Sequence, residues 1–402
     1  MNVPQGATGL LPGPPRLRAG NGSGLQFGAV LAVLLVIGWV ANHFVALMPT
    51  ISERQHLSTT TLDAIFGIYA VGLLPGLLIG GRASDAFGRQ AVALTGSATA
   101  VIGTVAMLLS QHSEVLLIGR LVVGVGVGLA MTSGTAWASD LRGPAGAATA
   151  GAVLIAGFAI GPFAGGLIAE AGNSGVEASF ALAAVLVVIA MALTVLAARR
   201  ASPSASTGAK QIESVNFSTG RALSWAMPLA PWVFASATLG FITIPARVHT
   251  GLAAPVAAGI AALVVNGASG AIQLIARTGS WGPRAGTVGA ALAALAYALI
   301  AVAPPTMTVM LALPLLLVLG CASGLTLREG LLDLEAAAPQ HVRGGLTGAF
   351  YALTYIGFGL PLLLTSAGLG AGQIILAGMA AIAASVAVLR TARLRRDSHR
   401  QS

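Results

Sequence analysis

The sequence predicts an all-α membrane protein, with 12 transmembrane helices in two pseudo-symmetric six-helix bundles. Three observations carry that expectation. Hydrophobic residues make up 56% of the 402 and charged residues only 8%, against roughly 25% charged in a soluble domain. Apolar runs of about 20 residues, the length that crosses a bilayer, recur from residue 26 to residue 390. The arginines fall between these runs in an alternating pattern, which places them on one side of a membrane. Mean hydropathy is +0.86, and the short alternating segments of a membrane barrel are not the pattern here.

Taken in order, residues 1–25 are rich in Gly and Pro and are expected to form a disordered cytoplasmic tail. The run 26–48 is too long for a signal-peptide core and reads as an uncleaved first span. The N-terminal bundle, 26–197, continues through 60–80, 91–110, 115–137, 146–169 and 178–197. A hydrophilic connection at 198–222, dominated by Ser, Thr and Gly, reads as a flexible cytoplasmic linker. The C-terminal bundle, 223–390, holds 223–246, 253–276, 285–303, 306–328, 344–367 and 370–390, with a very short break at Pro304 and Pro305. Residues 391–402 form a basic cytoplasmic tail.

The halves resemble each other. GLAMTSGTAWASDL (128–141) and GLTLREGLLDLEAA (324–337) align Gly128 with Gly324 and Gly134 with Gly330, at a constant offset of 196. Similarity between six-span halves marks many secondary transporters, whose substrate site lies at the repeat interface. With both termini inside, 18 of the 21 basic residues fall on the cytoplasmic side, among them Arg16, Arg18, Arg82, Lys210 and Arg343. Arg54 and Arg247 fall outside, and Arg120 lies within a span. The +9 net charge is therefore spread over inner loops and forms no patch for nucleic acid.

Other classes are excluded by what the chain lacks. Its single cysteine, Cys321, permits no disulfide or cysteine-based metal site within one chain. No Gly-Lys-Ser/Thr phosphate loop and no His-Glu-x-x-His occurs, and no loop is long enough for a soluble catalytic domain. No enzyme activity, cofactor or metal is expected. Abundant Ala and Gly, with Arg supplying nearly all the basic residues, suggest a GC-rich bacterial genome, so the expected location is the inner membrane.

Two strings carry the chemistry. Between the second and third runs stands Gly81-Arg82-Ala83-Ser84-Asp85-Ala86-Phe87-Gly88-Arg89-Gln90. Asp85, a charge at the membrane edge, needs donors, which Arg89 or a helix N-terminus of the other half would supply. Gly81 and Gly88 would permit the tight turn. The alternative is a static loop ion pair that obeys the positive-inside rule. In the fifth run, GFAIGPFAGG (157–166) sets Gly157, Gly161 and Gly165 four residues apart on one face, with Pro162 expected to bend the helix and Gly166 following. An ordinary Gly-rich packing seam is the alternative.

Gly-x-x-x-Asp-x-x-Gly-Arg in this loop of a twelve-span chain resembles the signature of the major facilitator superfamily, with Ala86 and Gln90 standing where basic residues are usual. Arg120 followed four residues later by Gly124 is similar to the family's second motif, and the 157–166 string matches its antiporter motif at every specified position. The resemblance covers residues 26–390. It implies a gating latch at Gly81, Asp85, Gly88 and Arg89, an influence of Arg120 on proton movement, and export of the kind found in twelve-span drug:proton antiporters.

Proton coupling needs a titratable group within the membrane, and the first span offers no acid, only Asn42 and His43 with Trp39 one turn earlier. His43, Asp63 and Arg120 are expected to form a coupled polar cluster near the outer side. Each has a plainer alternative: a cavity hydrogen bonder for His43, a first-turn acid on a helix capped by Ser58 or Thr59 for Asp63, and snorkelling to the headgroups for Arg120. Trp39, Asn42, Asn266, Tyr351 and Tyr355 are the candidate cavity residues, the last two within an aromatic stripe that also holds Phe350 and Phe358. Such a stripe lines a cavity or packs helices. Arg328 and Glu329 read as an ion pair at a helix end.

The expectation is therefore a secondary transporter that acts as a monomer in the bilayer and exports a small organic compound against protons. Rivals are an importer or uniporter of a sugar, nucleoside or metabolite with the same fold, and a non-transporting membrane sensor or scaffold.

Overall fold

The computed structural model describes residues 21–200, 219–337 and 340–401. Most of the expected N-terminal tail and linker, with Arg16, Arg18 and Lys210, and the side chain of Arg343 lie outside the described residues. Among those described, eleven helical segments are long and apolar enough to cross a bilayer. They are α1 (Gly24–Gln55), α2 (Thr59–Phe87), α3 (Arg89–Leu109), α4 (Ser113–Gly143), α5 (Ala145–Ala169), α6 (Asn173–Arg199), α7 (Thr219–Arg247), α8 (Ala254–Thr278), α9 (Arg284–Val302), α10 (Val309–Ala337) and α11 (Leu346–Arg396).

The first ten coincide with the first ten apolar runs. The last covers two of them: its 51 residues would stretch about 77 Å as one straight helix, more than twice the ~30 Å hydrocarbon thickness. Gly368, with φ 76° and ψ 175°, is non-helical inside it. Between α4 and α5 the chain turns through Arg142 (φ −138°) and Gly143 (φ 63°) without a separate loop. The Ser58 hydroxyl caps α2 by accepting the Thr61 N–H at 3.1 Å.

Helix faces bearing Ile79, Ile102, Ile118, Val188 and Ile374 are exposed, the arrangement of a bundle solvated by lipid rather than water. Inside, glycines bring backbones into contact, as expected where lipid gives no hydrophobic drive to helix association. A methyl group at Gly128 of α4 would lie 2.5 Å from the Leu73 carbonyl oxygen of α2. Gly124 meets the Tyr69 carbonyl one turn away. In the second half Gly324 of α10 meets the Ser269 carbonyl of α8, and Gly320 the Val265 carbonyl. Every partner in these four contacts is displaced by the same 196 residues that relate Gly128 to Gly324. The match ends at the next glycine pair, for Gly134 meets Leu34 whereas Gly330 meets the Phe350 ring.

Two helices lose regularity near the centre. In α7 a tight turn occupies Met227–Leu229, where Pro228 and Pro231 withhold donors, and a wide π turn occupies Leu239–Thr243. In α11 a 3₁₀ turn occupies Ile356–Gly359.

Candidate functional site

Six helices converge on a central cavity. Ala41 and Asn42 reach it from α1, Tyr69 from α2, Phe158 from α5, Phe234, Ala237 and Phe241 from α7, Asn266 from α8, and Tyr355 and Phe358 from α11. The π turn of α7 and the 3₁₀ turn of α11 border it, through Phe241 and Phe358, in keeping with the frequent use of π turns at functional sites. Aromatic contacts close the cavity: Phe66 stacks on Phe358 with centroids 5.0 Å apart, and Phe234 tilts against Tyr355 at 4.5 Å. About 20 Å³ of free space remains, enough for about one water.

Of the residues expected here, Asn42, Asn266 and Tyr355 line the cavity. Trp39 and Tyr351 do not. Trp39 packs its backbone against Gly161, and its indole N–H is buried without a partner among the described residues. Tyr351 packs beside Phe350, with centroids 6.2 Å apart. Both tyrosines lie in the regular helix Gln340–Tyr355, so they share a face; Tyr351 stands one turn, about 6 Å, short of the cavity, while Tyr355 meets Phe358 of the following 3₁₀ turn with centroids 5.3 Å apart.

The 157–166 string sits where three helices meet. Gly157 contacts the Leu35 carbonyl and Gly38 of α1, a methyl at Gly161 would stand 2.8 Å from the Trp39 Cα, and one at Gly165 would stand 3.6 Å from the His43 Cβ. All three glycines thus face α1. Gly166 points elsewhere, onto the Pro255 carbonyl of α8, and Gly259 of α8 meets the Pro162 carbonyl. Pro162 is accommodated with helical dihedrals throughout α5. Asn42 Nδ2 donates to the Phe158 carbonyl at 3.0 Å, and Asn266 Nδ2 donates to the same oxygen at 3.4 Å.

The three ionisable residues of the N-terminal half are buried, and they do not form one cluster. Arg120 is fully buried, so it does not snorkel. Its Nη1 donates to the Ala41 carbonyl at 3.1 Å, while Nε and Nη2 have no partner among the described residues. The guanidinium lies over Tyr69, Phe44 and Phe66, 4.3, 4.9 and 5.8 Å from their centroids, a cation–π cage in place of a carboxylate. His43 shares this neighbourhood through Ala41 and Phe44. Its Nδ1 stands 3.1 Å from the Val40 carbonyl and 3.3 Å from that of Trp39. Two acceptors assign the proton to Nδ1 and leave Nε2 as a buried acceptor without a donor. Asp63 turns to the other half: its Oδ2 accepts the Thr365 hydroxyl at 2.6 Å, and Oδ1 has no partner among the described residues. Among the described residues no hydrogen bond joins Asp63 to His43 or Arg120.

At the arginine-rich end, Arg89 binds Asp85 at 2.6 Å, Asp140 of α4 at 2.9 Å and the Ser84 hydroxyl at 2.6 Å. Gly88 makes the turn with φ 92°, while Gly81 lies inside α2, so the turn needs one glycine and not two. The partner of Asp85 is Arg89 itself, and not a helix end of the other half. Asp140 escaped the sequence reading because it stands 51 residues from Arg89; its only signal is an acid at the end of a span. Arg328 pairs with Glu329 at 2.7 Å, and Arg390 joins Asp333 at 2.8 Å to the Trp225 carbonyl at 2.7 Å.

A helical bundle closing on a cavity between its halves, with ionisable side chains buried in its spans, defines a membrane carrier of small molecules. Residues 29–362 match the sequence profile of the Major Facilitator Superfamily, and the chain belongs to that family of multi-pass transporters, which are not enzymes. It is similar to Multidrug resistance protein MdtL of Shigella flexneri serotype 5b (strain 8401), 33% identical over 96 residues, 24% of each chain. It is also similar to the 3-(3-hydroxy-phenyl)propionate transporter of Escherichia coli (strain K12), 31% identical over 111 residues, 28% of each. The match thus spans only about a quarter of either relative. Among solved structures, the POT family transporter PepTSo aligns with a TM-score of 0.71 at 12% identity, over 92% of this chain and 98% of its own. A peptide transporter POT in complex with sulfate aligns with a TM-score of 0.73 at 12% identity, over 92% and 94%.

Proposed function

We propose that this chain exports a small organic compound in exchange for protons, by alternating access of two six-helix halves. Dividing α11 at Gly368 gives twelve spans, and the repeated glycine contacts of α4 on α2 and of α10 on α8 support the two halves. The direction rests on the resemblance of the 157–166 string to the family's antiporter motif, and the string lies where α1, α5 and α8 meet, a place from which it touches both halves. The likeness to a multidrug resistance protein agrees with export. His43, Arg120 and Asp63, all buried, carry the proton step in this reading. Asp85, Arg89 and Asp140 latch the arginine-rich end, which faces the cytoplasm with both termini.

The test is purified full-length protein in liposomes with an imposed pH gradient, offered a panel of lipophilic aromatic compounds. Coupled movement of compound and protons is expected; movement of neither overturns the reading. A second reading, transport of an aromatic acid, draws on the hydroxyphenylpropionate transporter. Deletion of the gene separates the two: it raises accumulation of a toxic compound under export and slows growth on an aromatic acid under uptake.

A further inference from the structure

Pro162 deprives one backbone group of its helical partner. In an α-helix each N–H bonds the carbonyl four residues earlier, and proline has no N–H. The Phe158 carbonyl is the acceptor left over. Buried carbonyls are nearly always paired, and here two side-chain amides take the place of the missing donor. Asn42 reaches it at 3.0 Å from α1, within the same half, and Asn266 at 3.4 Å from α8, in the other half. All three residues line the central cavity, whose other walls are Ala41, Ala237 and five aromatic rings, with no charged side chain among them.

We propose that the Phe158 carbonyl is the polar anchor of a binding site for uncharged aromatic compounds bearing an N–H or O–H donor. Asn266 holds the ligand's place while the cavity is contracted. The inference deepens the transporter reading and rests on it. About 20 Å³ admits no such compound, because ligand pockets run to roughly 300–1,000 Å³, so α5 and α8 must part. Asn42 travels with α5, and the bond that crosses the moving boundary is the longer one from Asn266. Its loss costs Asn266 little, since Nδ2 keeps the Ala262 carbonyl at 2.9 Å. The Phe158 carbonyl is then left with a lone pair facing the opened cavity, and a donor on the ligand restores the pair. Tyr69, Tyr355 and Phe358 offer aromatic wall to the ligand's body. Arg120, 4.3 Å from the Tyr69 centroid, disfavours a cationic ligand.

The experiment measures binding by equilibrium dialysis to the full-length protein in lipid nanodiscs. The probes are benzamide and naphthamide, each paired with its N,N-dimethyl analogue, which has the same body and no donor. The unsubstituted protein should bind the primary amides about threefold to tenfold more tightly, the worth of one hydrogen bond. Pro162→Ala returns an N–H to the Phe158 carbonyl and should erase that ratio while sparing the dimethyl compounds. Asn266→Leu removes the competing donor and should widen it. Equal binding of both members of a pair, no binding of either, or a preference that survives Pro162→Ala overturns the proposal. If Pro162→Ala binds neither probe, Asn266→Leu decides, and a preference that does not widen overturns it. No gradient enters this assay. Failure of proton coupling in liposomes therefore strikes the export reading alone, and failure here leaves that reading standing.

Discussion

Replacing Gly157 with alanine should push α1 and α5 apart. The new methyl would meet the Leu35 carbonyl and stand 2.9 Å from the Gly38 Cα and 3.0 Å from the Trp39 nitrogen. All three are backbone atoms of α1, so no side chain can rotate away. Carbon atoms rest about 3.5–4.0 Å apart, and α1 must therefore retreat by roughly 0.5–1 Å at that point. Overpacking of this kind costs about 1–3 kcal/mol. Alanine also favours a helix over glycine by about 0.8–1.0 kcal/mol, which masks part of the cost in a single variant. Gly151→Ala supplies the reference, because it lies on the same helix and a methyl there meets nothing within 4 Å. Helix propensity cancels between the two, and Gly157→Ala should be the less stable by about 1–3 kcal/mol. Unfolding of both proteins in mixed micelles, titrated with a denaturing detergent, reads the difference directly. Agreement of the two within about 0.5 kcal/mol, the usual spread of neutral substitutions, would refute the close approach of the helices.

Arg120→Met removes a buried cation whose Nε and Nη2 lack partners, so stability should hold or rise by about 1–4 kcal/mol while transport in liposomes is lost. A sharp fall in stability would make the cation structural. Thr365→Val leaves the Asp63 carboxyl buried without its donor and should cost about 1–3 kcal/mol; the cost should shrink in an Asp63→Leu background, and an additive double-mutant cycle would contradict the pairing. Asp85→Asn leaves Arg89 bound to Asp140 and Ser84, so stability should fall by less than about 1 kcal/mol while transport falls severely; unchanged flux would reduce the latch to a static ion pair.

The spans were legible because lipid demands long apolar runs, and the Gly157-Gly161-Gly165 face was legible because helical spacing alone sets which residues share a side. The repeat was legible further than the aligned letters suggested: the 196-residue offset found at Gly128 holds for the Leu73 and Tyr69 carbonyls, where the residue types differ and only backbone position is kept. The cavity was harder to read. Tyr351 shares helical spacing with Tyr355, but spacing sets the face and not the depth at which the cavity lies, and nothing in the letters of Ile356–Gly359 announces the 3₁₀ turn that follows them. The Leu239–Thr243 turn likewise contains no proline. Arg120, His43 and Asp63 were each recognised as costly to bury, yet their grouping depended on contacts made across the bundle. Asp63 finds Thr365 302 residues away, a partner that no local pattern reveals.

The small central cavity also bears on what the protein does between transport events. Protons cross a membrane readily along an unbroken file of hydrogen-bonded waters. A space of about 20 Å³ walled by aromatic rings holds about one water, too few to make a file at that level, whereas the larger space of about 270 Å³ beside Thr365 and Arg247 lies outside this ring of aromatics. Under the proposed binding site, the tightness that requires α5 and α8 to part for a substrate is the same property that keeps water out of the centre of the idle protein. Enlarging the cavity by trimming Phe358 or Phe241 would trade that insulation for access.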